Sequence, residues 1–185
     1  LVCVKPFPST PVGFWKDEAD KRFLSAYFKQ NPGVWTHGDY GELTQHAGVI
    51  IQGRSDAVLN PGGVRIGTAE IYRQIESLPE IVDAVAVGQD WETDERVILF
   101  VVLKSDLKLT EDLVTLIKRT IRTKTTPRHV PAKIIAVPDI PRTISGKVVE
   151  LAVRKVIHQE RVDNTDALAN PETLKFFMDL KELTL

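Results

Sequence analysis

At 185 residues, 43% hydrophobic and 26% charged, the chain has an ordinary globular composition and enough length for a sizeable core, in one domain or two small ones. One cysteine, Cys3, excludes an internal disulfide, and no apolar run reaches the roughly 18 residues of a membrane span, which together point to a reducing, cytoplasmic setting without a membrane partner. The formal net charge of −1 is unevenly spread: residues 104–161 carry 13 Lys/Arg against 6 Asp/Glu, and the remainder 11 against 19, a division that suits an anionic small molecule or nucleic acid.

The chain opens at Leu1 without a methionine and already inside a strand pattern, so the expectation is a piece of a longer protein. Residues 1–6 read as a strand stopped by Pro6. An irregular link with Pro8, Pro11 and Gly13 follows, and residues 17–29 are predicted to form a helix with Phe23, Leu24, Tyr27 and Phe28 on one face. Residues 34–36 lead into His37-Gly38-Asp39, and residues 48–52 form the second strand of a hairpin. This stretch, residues 1–55, is too small for a core of its own and is expected to be the β-rich trailing edge of a larger N-terminal domain.

Between residues 53 and 67 lie two arginines, an acidic residue and four glycines, a loop that reads either as an anion site or as a Pro-Gly-Gly turn with solvated arginines. From residue 56 to 160 the pattern is that of a small α+β lobe with a three-stranded sheet covered by helices. Ile71, Ile75 and Leu78 mark a helix ended by Pro79, and residues 81–88 and 96–103 are strands joined through Gly88-Gln89-Asp90-Trp91 and an acidic turn. The second strand is continuously apolar from Val97, so it belongs in the middle of the sheet. Leu113, Leu116, Ile117 and Ile121 define another helix, with Lys118, Arg119 and Arg122 on its polar side; that solvated face explains part of the basic charge, and no aromatic residues interleave with it to form a nucleic-acid platform. A third strand at 134–137 precedes a helix that starts after Lys147 with Val149, Ala152, Val153, Val156 and Ile157 as its stripe. Residues 161–185 read as a polar tail with a short helix from Pro171.

Ser145-Gly146-Lys147 at a helix start is not a Walker loop, since no glycine stands five positions before Gly146 and no Ser/Thr follows the lysine. It is either a surface lysine or a mobile positive charge held out by a glycine turn, able to bridge a carboxylate and a phosphate. Asp39, at a strand end after a glycine, either caps backbone or accepts from both hydroxyls of a ribose. His37 shares its strand face, but no nucleophile lies nearby in sequence, and the four histidines with one cysteine show no metal-ligand spacing.

In order, His37-Gly38-Asp39, residues 53–67 and Pro141-Arg142-Thr143-Ile144-Ser145-Gly146-Lys147 resemble the last three conserved blocks of the adenylate-forming enzymes, the group of acyl-CoA synthetases, peptide-synthetase adenylation domains and luciferases. The resemblance runs from about residue 34 to 160. Asn60 stands where many members have lysine, and Arg142 replaces the usual lysine with its charge kept. Leu59-Asn60-Pro61-Gly62-Gly63-Val64-Arg65 and the tail from Asn164 to Glu172 are similar to the short-chain, acetoacetate-activating branch, with acetate or propionate as alternative acids.

The resemblance implies ATP, with magnesium in the complete enzyme, and CoA as co-substrates. It implies that Asp39 holds the ribose of ATP with help from Arg54, that Lys147 contacts the substrate carboxylate and α-phosphate during adenylation, and that Asp56 is the hinge of a swinging C-terminal lobe. It further implies Gly63 in the pantetheine tunnel, Arg65 at the adenylate phosphate, Arg122 at the 3′-phosphate of CoA, and acetylation of Lys147 as a control. Its partners would be the short-chain acid, ATP, CoA and the absent N-terminal domain, without which this piece is expected to be inactive. The competing expectation is a non-catalytic module that binds CoA or a partner.

Overall fold

In the first fifty-odd residues the runs of bulky side chains are too short for a wide sheet, and two small ladders form there instead. The computed structural model describes residues 1–184, which divide after Asp56 into two compact units. In the first, β1 (Val2–Cys3) pairs antiparallel with β2 (Trp35–Thr36), and β3 (Asp39–Leu43) with β4 (Val49–Arg54), the latter pair shifting register between Tyr40 and Gly41. Helix α1 (Lys21–Tyr27) is shorter than the predicted 17–29. The Asp17 carboxylate accepts the N–H groups of Arg22 and Phe23 at 2.9 and 2.8 Å, while Ala19 and Asp20 at φ 55° and 51° break the preceding turn away from the helix. Aromatic packing holds this unit: Tyr27 stacks on Trp35 at 3.8 Å between ring centres, with Phe23 and Phe28 against the same indole.

The second unit is an α+β lobe on a three-stranded sheet. β6 (Asp94–Leu103) lies in the middle, antiparallel to β5 (Ile81–Trp91) and parallel to β7 (Lys133–Ala136). Its central position follows from Val97 to Val101, every one of which is buried. One face, with Val97, Leu99 and Val101, packs on α2 (Thr68–Ile75) and α3 (Glu111–Lys124); the other, with Ile98 and Phe100, packs on α4 (Glu150–Ile157) and the tail. Each such aliphatic side chain contributes about 1.5–3 kcal/mol before chain entropy is subtracted. Among the described residues no helix is long and apolar enough to cross a membrane.

Three sequence expectations are corrected. β5 continues through Gly88-Gln89-Asp90-Trp91, because Gly88 serves close packing rather than a turn: a Cβ there would collide with the Glu95 carboxylate across the hairpin. Leu116 on α3 is 41% exposed, and Leu113, Ile117 and Ile121 alone form the buried stripe. Residues 161–184, read as a polar tail, bury Leu168, Leu174, Phe177 and Leu183 against the sheet, with the 3₁₀ segment Pro171–Phe177 carrying two of them.

Candidate functional site

In the first unit, strand pairing sets Asp39 directly opposite Arg54. The Arg54 guanidinium donates through Nε and Nη2 to the Asp56 carboxylate at 3.2 and 3.3 Å and through Nη1 to the His37 carbonyl at 3.2 Å, and it lies 3.5 Å from Asp39 Oδ1. His37 Nδ1 stands 2.9 Å from the other Asp39 oxygen. Burial works against the arginine's charge, but Asp56 first and then Asp39 outweigh it and hold the guanidinium above its ordinary pKa. Gly38 lies beneath this guanidinium at φ +87°, a backbone conformation that favours glycine. The structure thus brings together Asp39, Arg54 and Asp56, three of the residues singled out from sequence. Asp56 is exposed and is the last residue of its unit.

In the second unit, residues 59–66 form a closed loop whose ends exchange backbone hydrogen bonds between Leu59 and Ile66 at 2.9 and 2.8 Å. Both end residues are buried, and Gly63, Val64 and Arg65 project at the exposed tip. The far end of the β5–β6 hairpin anchors the loop: Asn60 N–H donates to Glu95, and Gly62 N–H to both Asp94 oxygens at 2.9 and 2.8 Å. The backbone N–H of Glu95 and then that of Gly62 hold the Asp94 carboxyl below its ordinary pKa, with the Arg128 charge adding to the effect. Gly63 has φ +77° and open space where a Cβ would lie. Arg122 is exposed in the last turn of α3, where a cation also favours the helix dipole.

Lys147 lies at the other end of the same hairpin. Residues 142 and 148 bridge across a tight turn, with Thr143 N–H donating to the Lys147 carbonyl at 2.8 Å and Lys147 N–H to Thr143 Oγ1 at 3.0 Å. That bridge delays α4 to Glu150, later than the expected start after Lys147. Residues 144–147 are exposed, and the Lys147 amine makes no hydrogen bond or ion pair among the described residues. Arg142 ties the turn down, donating from Nη1 to the Gly146 carbonyl at 2.6 Å and from Nη2 to Asp83 near the start of β5. Asp83, near the start of β5, and Asp94, the first residue of β6 and paired with Trp91 at the end of β5, lie at opposite ends of the hairpin, about 25 Å apart at the usual rise of a strand. The lysine turn and the Gly63–Arg65 loop are therefore anchored to opposite ends of one hairpin.

Sequence reasoning missed the anchors. Asp83 carries no local signal. Asn170 is marked only by the turn dipeptide Asn170-Pro171, yet its side chain accepts the Arg142 N–H at 2.8 Å.

Residues 70–147 match the AMP-binding enzyme C-terminal domain. Among curated relatives the chain is 58% identical over 183 residues to acetoacetyl-coenzyme A synthetase of Rhizobium meliloti (strain 1021), and 44% identical over 185 residues to acetoacetyl-CoA synthetase of Xenopus tropicalis; each alignment covers 99% of this chain and 28% of the relative. Of solved structures, acetoacetyl-CoA synthetase from Streptomyces lividans superposes with a TM-score of 0.87 at 40% identity, covering 95% of this chain and 27% of that one. An ATP-bound RpMatB-BxBclM chimera superposes at 0.62 with 27% identity over 78% of this chain and 28% of its own. The chain thus spans a little over a quarter of the length of these proteins. Residues 70–147 are an AMP-binding enzyme C-terminal domain, and over nearly all of its length the chain is similar to acetoacetyl-CoA synthetases.

Proposed function

We propose that the chain is the C-terminal part of a cytoplasmic acid–thiol ligase that joins acetoacetate to CoA in two steps. In the first, a carboxylate oxygen attacks the α-phosphorus of ATP, the bond to the β-phosphate oxygen breaks, and pyrophosphate leaves the acyl-adenylate. In the second, the CoA sulfur gives up its proton and attacks the acyl carbon, the carbon–oxygen bond to phosphate breaks, and AMP departs.

The observation that carries this reading is the 58% identity over 99% of the chain to an acetoacetyl-coenzyme A synthetase. Local chemistry agrees with it. The Lys147 ammonium, free at the tip of a pinned turn, suits charge building between carboxylate and phosphate. Asp39, flanked by Arg54, offers a carboxylate to ribose hydroxyls. Gly63 leaves room for a thin pantetheine arm, Arg65 supplies a cation for the adenylate phosphate, and Arg122 one for the CoA phosphate. Asp56, exposed at the unit boundary, is assigned as the hinge that lets distant surfaces of one lobe serve successive steps. Magnesium would accompany ATP as part of the substrate.

The test is a substrate panel with the complete protein, following pyrophosphate release with ATP and acetoacetate, acetate or propionate in turn. Acetoacetate should give the highest kcat/KM. Preference for acetate or propionate would move the chain to another short-acid ligase, and no acid-dependent release would leave a non-catalytic CoA-binding module.

A further inference from the structure

The match to the AMP-binding enzyme C-terminal domain ends at residue 147, but the chain beyond it doubles back onto the lysine turn. Thr143 and Leu168 form an antiparallel bridge, Ile144 N–H donates to the Ala167 carbonyl at 3.2 Å, and Ala169 N–H to the Arg142 carbonyl at 2.8 Å. Asn170 completes the attachment with its side chain. Its Oδ1 accepts the Arg142 N–H, while its Nδ2 donates to the Asp139 carboxylate at 2.9 Å and the Ile140 carbonyl at 3.0 Å. The Asn170 carbonyl in turn accepts from the N–H and hydroxyl of Thr173, at 3.1 and 2.8 Å, within the turn that plants Leu174 and Phe177 in the core. An amide is required for this geometry, because an aspartate would lose both donors and face the Asp139 charge.

We propose that Asn170 is a positioning residue for Lys147: it fastens the segment entering the lysine turn to a buried anchor in the tail, and so holds the amine where adenylation needs it. This rests on the function proposed above. Four consecutive exposed residues, 144–147, have no core contacts to fix them. The turn is held by backbone bonds at Ile144 and by the Arg142 fork at Gly146, and Asn170 secures the base where Arg142 enters it. A displacement of about 1 Å at a reacting group costs roughly 100-fold in rate, and with Arg142 still in place the loss of Asn170 should cost about tenfold.

The experiment uses the complete enzyme and its Asn170→Ala variant, each assayed for acetoacetate-dependent ATP–pyrophosphate exchange and, separately, for thioester formation from supplied acetoacetyl-adenylate and CoA. The expected result is a roughly tenfold fall in exchange kcat, with KM for ATP and the thioester step within about twofold of the unsubstituted enzyme. Unchanged exchange, or an equal fall in both steps, overturns the assignment, the latter being what a merely structural role produces. Asn170→Ser, read by the same ratio, replaces Asn170→Ala if that variant does not fold. Absence of exchange in the unsubstituted enzyme would refute the proposed function itself, an outcome distinct from an active enzyme indifferent to Asn170.

Discussion

The hydroxyl of Tyr72 shows how one polar atom turned into the second unit gains its partners. It accepts the Ala86 N–H at 3.0 Å from β5 and donates to Glu150 at 3.2 Å at the start of α4, joining elements on both faces of the sheet. Burial first, and the Glu150 charge second, push its pKa well above the ordinary value. A tyrosine with a raised folded pKa keeps its proton in the folded state when the unfolded state has lost it, so the unfolded state binds fewer protons and stability falls with rising pH. Its contribution is complete below about pH 10, where an unfolded tyrosine titrates, and is lost as pH climbs from there through the folded value. Tyr72→Phe should flatten this alkaline fall in urea-unfolding free energy; an unchanged slope above pH 10 would place its origin elsewhere. At the Gly63 tip the prediction concerns rate. Gly63→Leu should spare pyrophosphate exchange and reduce thioester formation from supplied acyl-adenylate by at least ~10²-fold, whereas equal loss in both assays would remove Gly63 from the CoA path.

Among the elements, the tail is where stability and site meet. Phe177 is 1% exposed and packs edge-on against Phe100 of the central strand at 4.8 Å between ring centres. Phe177→Ala should lower unfolding free energy by about 3–5 kcal/mol, measured as a shift in urea midpoint at constant m-value. A loss under 1 kcal/mol would show that the tail is not part of the cooperative core. This element also marks where sequence reading stopped. β6 was legible because an unbroken apolar run of strand length has few alternatives, and α3 because Leu113, Ile117 and Ile121 repeat at the helical period. Leu168, Leu174, Phe177 and Leu183 follow neither a period of 2 nor one of 3.6, since they are carried on successive 3₁₀ turns and extended links. The glycine loop stood out by composition and Lys147 through the family resemblance of its motif, whereas Asp83 and Asp94 act on loops distant in sequence without a local trace and Asn170 shows only as a turn dipeptide.

On the scale of the whole molecule, the boundary after Asp56 and the attachment of the two loops to opposite ends of one hairpin both enter the proposed two-step function. A lysine tied through Arg142 to Asp83 and a glycine tip tied to Asp94 can each serve one chemical step, provided the lobe presents them in turn. In the function proposed above, Asp56, exposed at the unit boundary, is the hinge. In the proposed function these loops divide the labour between the two steps, and Lys147→Ala in the complete enzyme tests that division most directly, with both half-reactions measured on the same preparation. Acetoacetate-dependent pyrophosphate exchange should fall by ~10²–10³-fold, as expected for removal of one preorganised charge, while supplied acyl-adenylate is still converted to thioester at close to the unsubstituted rate. Exchange at the unsubstituted rate, or equal loss of both steps, would contradict it.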